Sequence, residues 1–150
     1  MKRILFFTAL IFCFQSVFAC AIFVITDGEK VLIGNHEDWY AQDAEITFTP
    51  AENGKHGTII FDFASEGWAQ GGMNTKGLFF DGTATPEVAI DQNAKEDCDC
   101  YIWEKILAEC ANVEEADAMV KKYKVPEYKN VHILLAEKPG KSVIIGAYKG

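Results

Sequence analysis

The fold is decided by residues 20–38, which read CAIFVITDGEKVLIGNHED. Two apolar runs in this stretch, Ala21–Ile25 and Val31–Ile33, flank a polar segment that contains the pair Asp27–Gly28. An Asp-Gly pair between apolar runs is typical of a hairpin turn, so the stretch predicts two antiparallel strands. The first run does not alternate between apolar and polar residues, which predicts a strand that is covered on both faces.

The register of this hairpin decides which side chains face its first residue. If Asp27 and Gly28 are the two turn residues, the pairing places Cys20 directly opposite Asn35. We therefore expect Asn35 and the residues that follow it, as far as Asp38, to lie beside Cys20.

Residues 1–19 have the layout of a secretory signal peptide. They begin with the basic pair Lys2–Arg3, continue with an apolar run over 4–14 and end on Ala19. The apolar run is shorter than the roughly 20 residues that span a bilayer, so we expect cleavage rather than a membrane anchor. The mature chain would then comprise residues 20–150, would begin at Cys20 and would be secreted or periplasmic.

The composition excludes several classes of function. The chain has 150 residues, of which 49% are hydrophobic and 24% charged, and this predicts one globular domain rather than a disordered chain. A net charge of −8 at pH 7, without a basic stripe, argues against a nucleic-acid partner.

Three further cysteines, Cys98, Cys100 and Cys110, do not have the spacing of a zinc site, so we expect no metal. We expect no cofactor either. In an oxidising compartment Cys110 could pair with Cys98 or with Cys100, or all three could stay reduced.

The rest of the chain predicts an α+β fold with the order strands, two helices, strands. Apolar runs bounded by Gly, Asn and Lys predict further strands at 45–49, 58–63, 68–71, 78–81, 131–136 and 142–148. Apolar residues at helical spacing from Tyr101 onward predict two helices with a break near Asn112.

Cys20 would carry two reactive groups once the preceding residues are removed. A thiol reacts as the thiolate, and its usual pKa of about 8.5 leaves only a few per cent ionised at neutral pH. The α-amine of the same residue has a usual pKa of about 7.7–8.0, so it can serve as the base. Asp38 could orient that amine, and Asn35 could donate a hydrogen bond. The pattern therefore predicts a cysteine nucleophile.

Three segments together resemble a known group of enzymes. Cys20 with its hairpin, Gly34–Trp39 and Gly72–Leu78 resemble the N-terminal-nucleophile amide hydrolases of the choloylglycine hydrolase and penicillin V acylase type, and their acyltransferase relatives. The resemblance implies a four-layer αββα sandwich, of which this chain would hold a truncated, N-terminal part. It also implies hydrolysis of linear amide C–N bonds through an acyl-thioester on Cys20.

The resemblance implies roles for individual residues as well. Asp38 matches the family's aspartate near the amine, and the backbone N–H of Ala84 matches an oxyanion donor. Asn35 stands where the family usually has arginine, and we expect it to contact the substrate. A second oxyanion donor, an asparagine side chain, would fall beyond Gly150.

The expected partner is a small-molecule N-acyl amide. Bile-salt conjugates, penicillin-like side-chain amides and other N-acyl amines all suit the resemblance, although Asn35 disfavours the bile salts. Trp39 and Phe80 lie close to the motifs and are the expected lining of an acyl pocket. The sequence leaves open whether the chain forms a homo-oligomer.

Cys20 also has two non-catalytic interpretations. The segment Val17–Cys20 approximates a lipobox, in which the thiol takes a diacylglycerol and the protein is tethered to a membrane in a binding role. Phe18 is unusual there, since small or aliphatic residues are normal, whereas ordinary signal cleavage tolerates it. The other interpretation is an inactive truncated copy. The ordered downstream motifs favour the nucleophile.

Overall fold

Residues 20–147 are described by a computed structural model with an α+β fold. The predicted signal peptide, residues 1–19, lies outside the described residues. The strands are β1 (Ala21–Thr26), β2 (Val31–His36), β3 (Ala44–Thr49), β4 (Thr58–Phe63), β5 (Ala69–Asn74), β6 (Phe79–Ala84), β7 (Val131–Ala136) and β8 (Ser142–Ile145). Two helices, α1 (Ile102–Glu109) and α2 (Val113–Lys122), precede β7, and a 3-10 helix covers Pro126–Lys129. The predicted order of strands, two helices and strands is confirmed.

The strands form two antiparallel sheets. One is the hairpin of β1 and β2, and the other is a six-stranded meander in the order β3-β4-β5-β6-β7-β8. One face of the meander packs against the helices, where the ring of Phe80 stacks on Trp103 with a centroid separation of 5.4 Å. The other face lies toward the hairpin, since Asp81 of β6 contacts Asn35 of β2. Residues 20–147 thus supply three layers of the expected four, namely helices, sheet and hairpin.

The helix pair is held in place by local hydrogen bonds that the sequence encodes. Asn112 is the N-cap of α2, and its side chain accepts a hydrogen bond from the Glu115 N–H at 2.9 Å. The Glu115 carboxylate accepts in return from the N–H of Ala111 at 2.7 Å. This capping arrangement fixes the start of α2 directly after α1, because it satisfies N–H groups that have no partner inside a helix.

The hairpin register differs from the expected one. Ala21 pairs with His36 and Ile22 with Asn35, so the continuation of this register places Cys20 opposite Glu37 rather than Asn35. The prediction of a two-residue turn was wrong, because the loop has four residues, Asp27–Lys30.

Side-chain hydrogen bonds explain the longer loop. The Asp27 carboxylate accepts from the N–H of Glu29 at 3.0 Å and of Lys30 at 2.8 Å, and the Thr26 hydroxyl accepts from the N–H of Gly28 at 3.0 Å. Gly28 has a φ of +93°, a conformation that glycine adopts without steric cost. The aspartate therefore caps the N–H groups of two loop residues instead of standing inside a two-residue turn.

The outer face of the hairpin is open among the described residues. Phe23 and Ile25 of β1 are 52% and 58% exposed, so the prediction of a strand covered on both faces was wrong. The apolar run is unalternating, yet within residues 20–147 β1 pairs only with β2 and packs only its inner side on β6. A cavity of about 850 Å³ lies between the hairpin and the meander.

The cysteines pair differently from either expected arrangement. Cys98 and Cys100 form a disulfide, while Cys110 is a free, buried thiol beneath α1. Burial raises the pKa of Cys110 to about 11, so this thiol is protonated at neutral pH. Within the part of the chain that the structure describes, no helix is long and apolar enough to cross a membrane.

Candidate active site

Cys20 lies directly before β1, at the end of the hairpin that is remote from its loop. Its side chain is half-buried, and its Sγ donates a hydrogen bond to Oε2 of Glu37 at 3.1 Å. The observed register produces this contact, because Glu37 follows β2 at the position that faces Cys20. The fold therefore gives the thiol a fixed acidic neighbour.

The surroundings of Cys20 favour the neutral thiol. Burial raises the pKa of the thiol above its usual value, and the backbone N–H of Asp38 opposes this because it donates a hydrogen bond to the sulfur. The hydrogen bond to Glu37 and the negative charges of Glu37 and Asp38 raise the pKa further. At neutral pH the group is a thiol, so a base has to take its proton when it reacts.

Cys20 lines a cavity of about 180 Å³ at the edge of the meander. The wall of this cavity is mostly apolar. The residues that form it include the aromatic side chains Trp39, Trp68, Phe80, Tyr101 and Trp103, together with Gly82, Thr83 and Ala84 of β6. A small, mostly apolar cavity beside a nucleophilic atom is suited to the acyl part of a substrate.

Ala84 presents its backbone to this cavity. The N–H of Thr85 donates to the carbonyl of Asn130 at 2.8 Å, so these two residues form a hydrogen-bonded pair. Hydrogen-bonded and non-hydrogen-bonded pairs alternate along antiparallel strands, and the next pair is Ala84 with Val131. The backbone groups of Ala84 therefore point away from β7. The pairing of β6 with β5 ends at Asp81, so the residues of β6 after Asp81 have no β5 partner on that side. The N–H of Ala84 is therefore directed away from β7, at the side where a carbonyl oxygen could meet it.

The two predicted aromatic residues both line the cavity, in different ways. Trp39 is half-buried, packs edge-on against Trp68 with a centroid separation of 6.4 Å, and donates its indole N–H to Glu66 at 3.3 Å. Phe80 is only 1% exposed because its ring is stacked on Trp103. Trp39 thus offers surface to a ligand, while Phe80 forms the floor of the cavity as part of the core.

Asn35 is turned away from this cavity. Its side-chain Nδ2 donates to Oε1 of Glu37 at 2.8 Å and to Oδ2 of Asp81 at 2.5 Å. The side chain therefore lies in the space between the hairpin and the meander, where the Asp81 carboxyl group is 2% exposed. Asn35 reaches Cys20 through Glu37 and not directly.

Sequence reasoning missed two residues of this site. The expected turn put Asn35 opposite Cys20 and left Glu37 as a neighbouring residue without a role of its own; the four-residue loop capped by Asp27 puts Glu37 in that position. Asp81 was treated only as the end of a strand. The sequence signal for Asp81 is that an acidic residue directly continues the apolar run Leu78–Phe80. In such a run a buried position is expected, and a buried acid is unusual.

No cluster of three or more His, Cys, Asp or Glu side chains that could hold a metal ion is found among residues 20–147. The arrangement around Cys20 is one of a thiol, two carboxylates and a backbone donor. It can support attack on a carbonyl group once a base has taken the thiol proton.

Comparisons with known proteins bear on the fold. No family model matches the sequence, and no curated protein matches it either. Among solved structures, two variants of the conjugated bile acid hydrolase from Clostridium perfringens are similar at 21% identity, with TM-scores of 0.53 and 0.63. The penicillin V acylase from Agrobacterium tumefaciens is similar at 18% identity, with a TM-score of 0.62. The chain shares the fold of these proteins over the matched region.

The similarity extends over most of this chain and a smaller part of those structures. It covers 73% and 87% of this chain for the two bile acid hydrolase variants and 88% for the acylase. The chain spans 42%, 48% and 47% of the length of the respective structures. The predicted fold is therefore confirmed for the part that this chain contains.

Proposed function

We propose that this chain hydrolyses linear amide bonds of N-acyl amides, with the thiol of Cys20 as the nucleophile. The observation that carries the proposal is the position of this thiol in the wall of a mostly apolar cavity, with Ala84 in the wall of the same cavity. The hydrolase fold of the similar structures supports it. The activity requires removal of residues 1–19, which frees the α-amine of Cys20.

The first half of the reaction forms a thioester. The Cys20 sulfur bonds to the amide carbonyl carbon while the α-amine of the same residue takes the thiol proton. The N–H of Ala84 donates to the oxygen that becomes negative. When the C–N bond breaks, the ammonium group returns the proton to the departing amine. Asp38, whose charge already acts on the thiol, holds the ammonium group in place.

The second half releases the acyl group. Water attacks the thioester carbonyl, again with the α-amine as base, and the C–S bond breaks to give the carboxylic acid and the free thiol. Because the pKa of the thiol is raised, the assistance of this base is needed at neutral pH. Activity should increase as the pH rises toward the pKa of the thiol.

The cavity suggests which acyl groups fit. About 180 Å³ with a wall of Trp39, Trp68 and Trp103 suits a compact aromatic acyl group better than a steroid. We therefore favour arylacetyl and aryloxyacetyl amides as substrates.

The test is amine release from a panel of amides. The panel contains phenylacetyl and phenoxyacetyl amides and glycine conjugates of bile acids, and the enzyme is the exported, processed chain. We expect hydrolysis of the arylacyl amides and a loss of about 10³-fold or more in Cys20→Ala. Cys110→Ala is the matched control, because its thiol is buried away from the cavity. Unchanged hydrolysis by Cys20→Ala would contradict the proposal.

A tethered lipoprotein predicts a different outcome of the same experiment. A diacylglycerol on the Cys20 thiol would leave the processed chain in the membrane fraction and without amide hydrolysis. Cys20→Ala would then release the protein from the membrane and leave the hydrolysis absent.

A further inference from the structure

A chain of hydrogen bonds leads from Cys20 into the interior of the fold. The Cys20 thiol donates to one oxygen of Glu37 at 3.1 Å, and the Asn35 amide donates to the other at 2.8 Å. The same amide nitrogen donates its second hydrogen to Asp81 at 2.5 Å. Three strands, β1, β2 and β6, are thereby linked through side chains.

The inner end of this chain is an acid inside the fold. Asp81 is 2% exposed, and its second carboxyl oxygen accepts from the N–H of Gly82 at 2.7 Å. Room for it is made by Gly71 on the neighbouring strand, where a Cβ atom would come within 2.7 Å of the carboxyl oxygen. The site is therefore fitted to an acidic side chain at this position.

Burial and the nearby Glu37 charge raise the pKa of Asp81 to about 8, so its carboxyl group is neutral at neutral pH. Glu37 and Asp81 share one donor, and a pair of carboxyl groups so close is stable when only one of them is charged. Glu37, which lies nearer the surface and accepts from both Asn35 and the thiol, carries the negative charge.

Asn35 is suited to connect the two acids. Its NH₂ group has two hydrogens, and each is used for one carboxyl group. Because one oxygen of Glu37 is taken by Asn35, the other is fixed in the direction of the sulfur. An arginine in this place would bring a positive charge that the amide does not have.

We propose that Asn35 and Asp81 are positioning residues for the nucleophile: they hold the Glu37 carboxylate against the Cys20 thiol and so keep the thiol protonated and oriented before substrate binds. The inference rests on the proposed function only in treating Cys20 as the nucleophile. Its test measures the thiol itself and needs no substrate.

The charges around the thiol decide in which direction its pKa changes in the variants. Cys20 faces the carboxylates of Glu37 and Asp38, and both raise its pKa. Loss of the Glu37 charge, or release of Glu37 from its position, therefore lowers the pKa of the thiol. Glu66 is a matched control, since it binds Trp39 and Tyr40 on the same segment but is not part of the hydrogen-bond chain.

The experiment measures the rate of alkylation of Cys20 by iodoacetamide as a function of pH, with the modified peptide quantified by mass spectrometry. Glu37→Gln and Asn35→Ala should lower the thiol pKa by about half a unit or more, which raises the alkylation rate at neutral pH about threefold. Glu66→Gln should leave it unchanged. Cys110, which is buried, should stay unmodified as long as a variant is folded.

Two substitutions of Asp81 separate positioning from simple packing. Asp81→Asn keeps an oxygen that accepts from Asn35 and should retain the wild-type thiol pKa. Asp81→Ala removes that oxygen and should lower the pKa as Asn35→Ala does. Equal thiol pKa values in wild type, Glu37→Gln and Asn35→Ala would overturn the inference, and so would equal values in Asp81→Ala and wild type. Failure of amide hydrolysis with these shifts present would refute the proposed function alone.

Discussion

Replacement of Asp81 by asparagine should remove a large pH dependence from the stability of the fold. In the folded chain the pKa of Asp81 is raised from 3.8 to about 8, chiefly because the carboxyl group is buried and also because Glu37 is near. Between these two pH values the folded state keeps a proton that the unfolded state has released. The stability that this proton contributes is present at low pH and is lost as the pH rises toward 8.

The size of the effect follows from the difference in pKa. A difference of one bound proton changes the free energy of unfolding by about 1.4 kcal/mol for each pH unit. From about pH 5 to about pH 8 the wild type should therefore lose about 4 kcal/mol relative to Asp81→Asn, whose amide does not titrate. Titrating groups that do not interact with Asp81 are the same in both proteins, so they cancel in the difference.

The assay is urea unfolding of both proteins, followed by tryptophan fluorescence, at several pH values across this range. Trp103 lies in the core beside Phe80 and reports the loss of packing. Asp99→Asn, at an exposed carboxylate, is the control and should run parallel to the wild type. A difference between wild type and Asp81→Asn that stays constant with pH would refute the assignment of a neutral, buried Asp81.

Three further substitutions test how the fold is held together, each by urea unfolding. Asn74→Ala should lower the free energy of unfolding by about 3–5 kcal/mol. The buried Asn74 amide donates to two backbone carbonyls of the helix layer at 2.8 and 2.7 Å and accepts from two N–H groups, and all four hydrogen bonds would be lost. A loss below about 1 kcal/mol would contradict this. Asn112→Ala should cost about 1 kcal/mol through loss of the α2 cap, and Asn112→Ser should restore most of it. Gly71→Ala should destabilise the fold, and the loss should be smaller in Asp81→Ala, since the added methyl group meets the Asp81 carboxyl group.

The local elements were predictable because their signals are local. The strands 58–63 and 131–136 were predicted with the bounds that the structure has, since each is an apolar run between polar or turn residues. The break between the helices was also predicted near Asn112, and Asn112 is the residue that caps α2. In each case the sequence and the tertiary contacts favour the same conformation.

The hairpin register was not predictable from the Asp-Gly pair alone. The Asp27 side chain accepts from two N–H groups and thereby stabilises a four-residue loop. The resulting shift of two residues keeps the same side chains on each face, because the period of a strand is two. It does exchange Asn35 for Glu37 opposite Cys20, and this changes the electrostatics of the site.

The inner part of the site depends on contacts between distant segments. Asp81 and Asn35 are 46 residues apart, and no local pattern brings them together. The open face of β1 is likewise a property of the tertiary arrangement, since its apolar run favours a covered strand. The strands and helices could thus be inferred from the sequence, whereas the side-chain contacts around the Cys20 thiol required the packing of β2 on β6.

The central claim is that Cys20 becomes an N-terminal nucleophile with a free thiol and a free α-amine. The most direct test is the intact mass and N-terminal sequence of the protein recovered from the exported fraction of a bacterial host. We expect a chain that begins at Cys20 and has the mass of the unmodified sequence from that residue. A diacylglycerol on Cys20, or residues 1–19 still attached, would contradict the claim, because either one blocks a group that the mechanism uses.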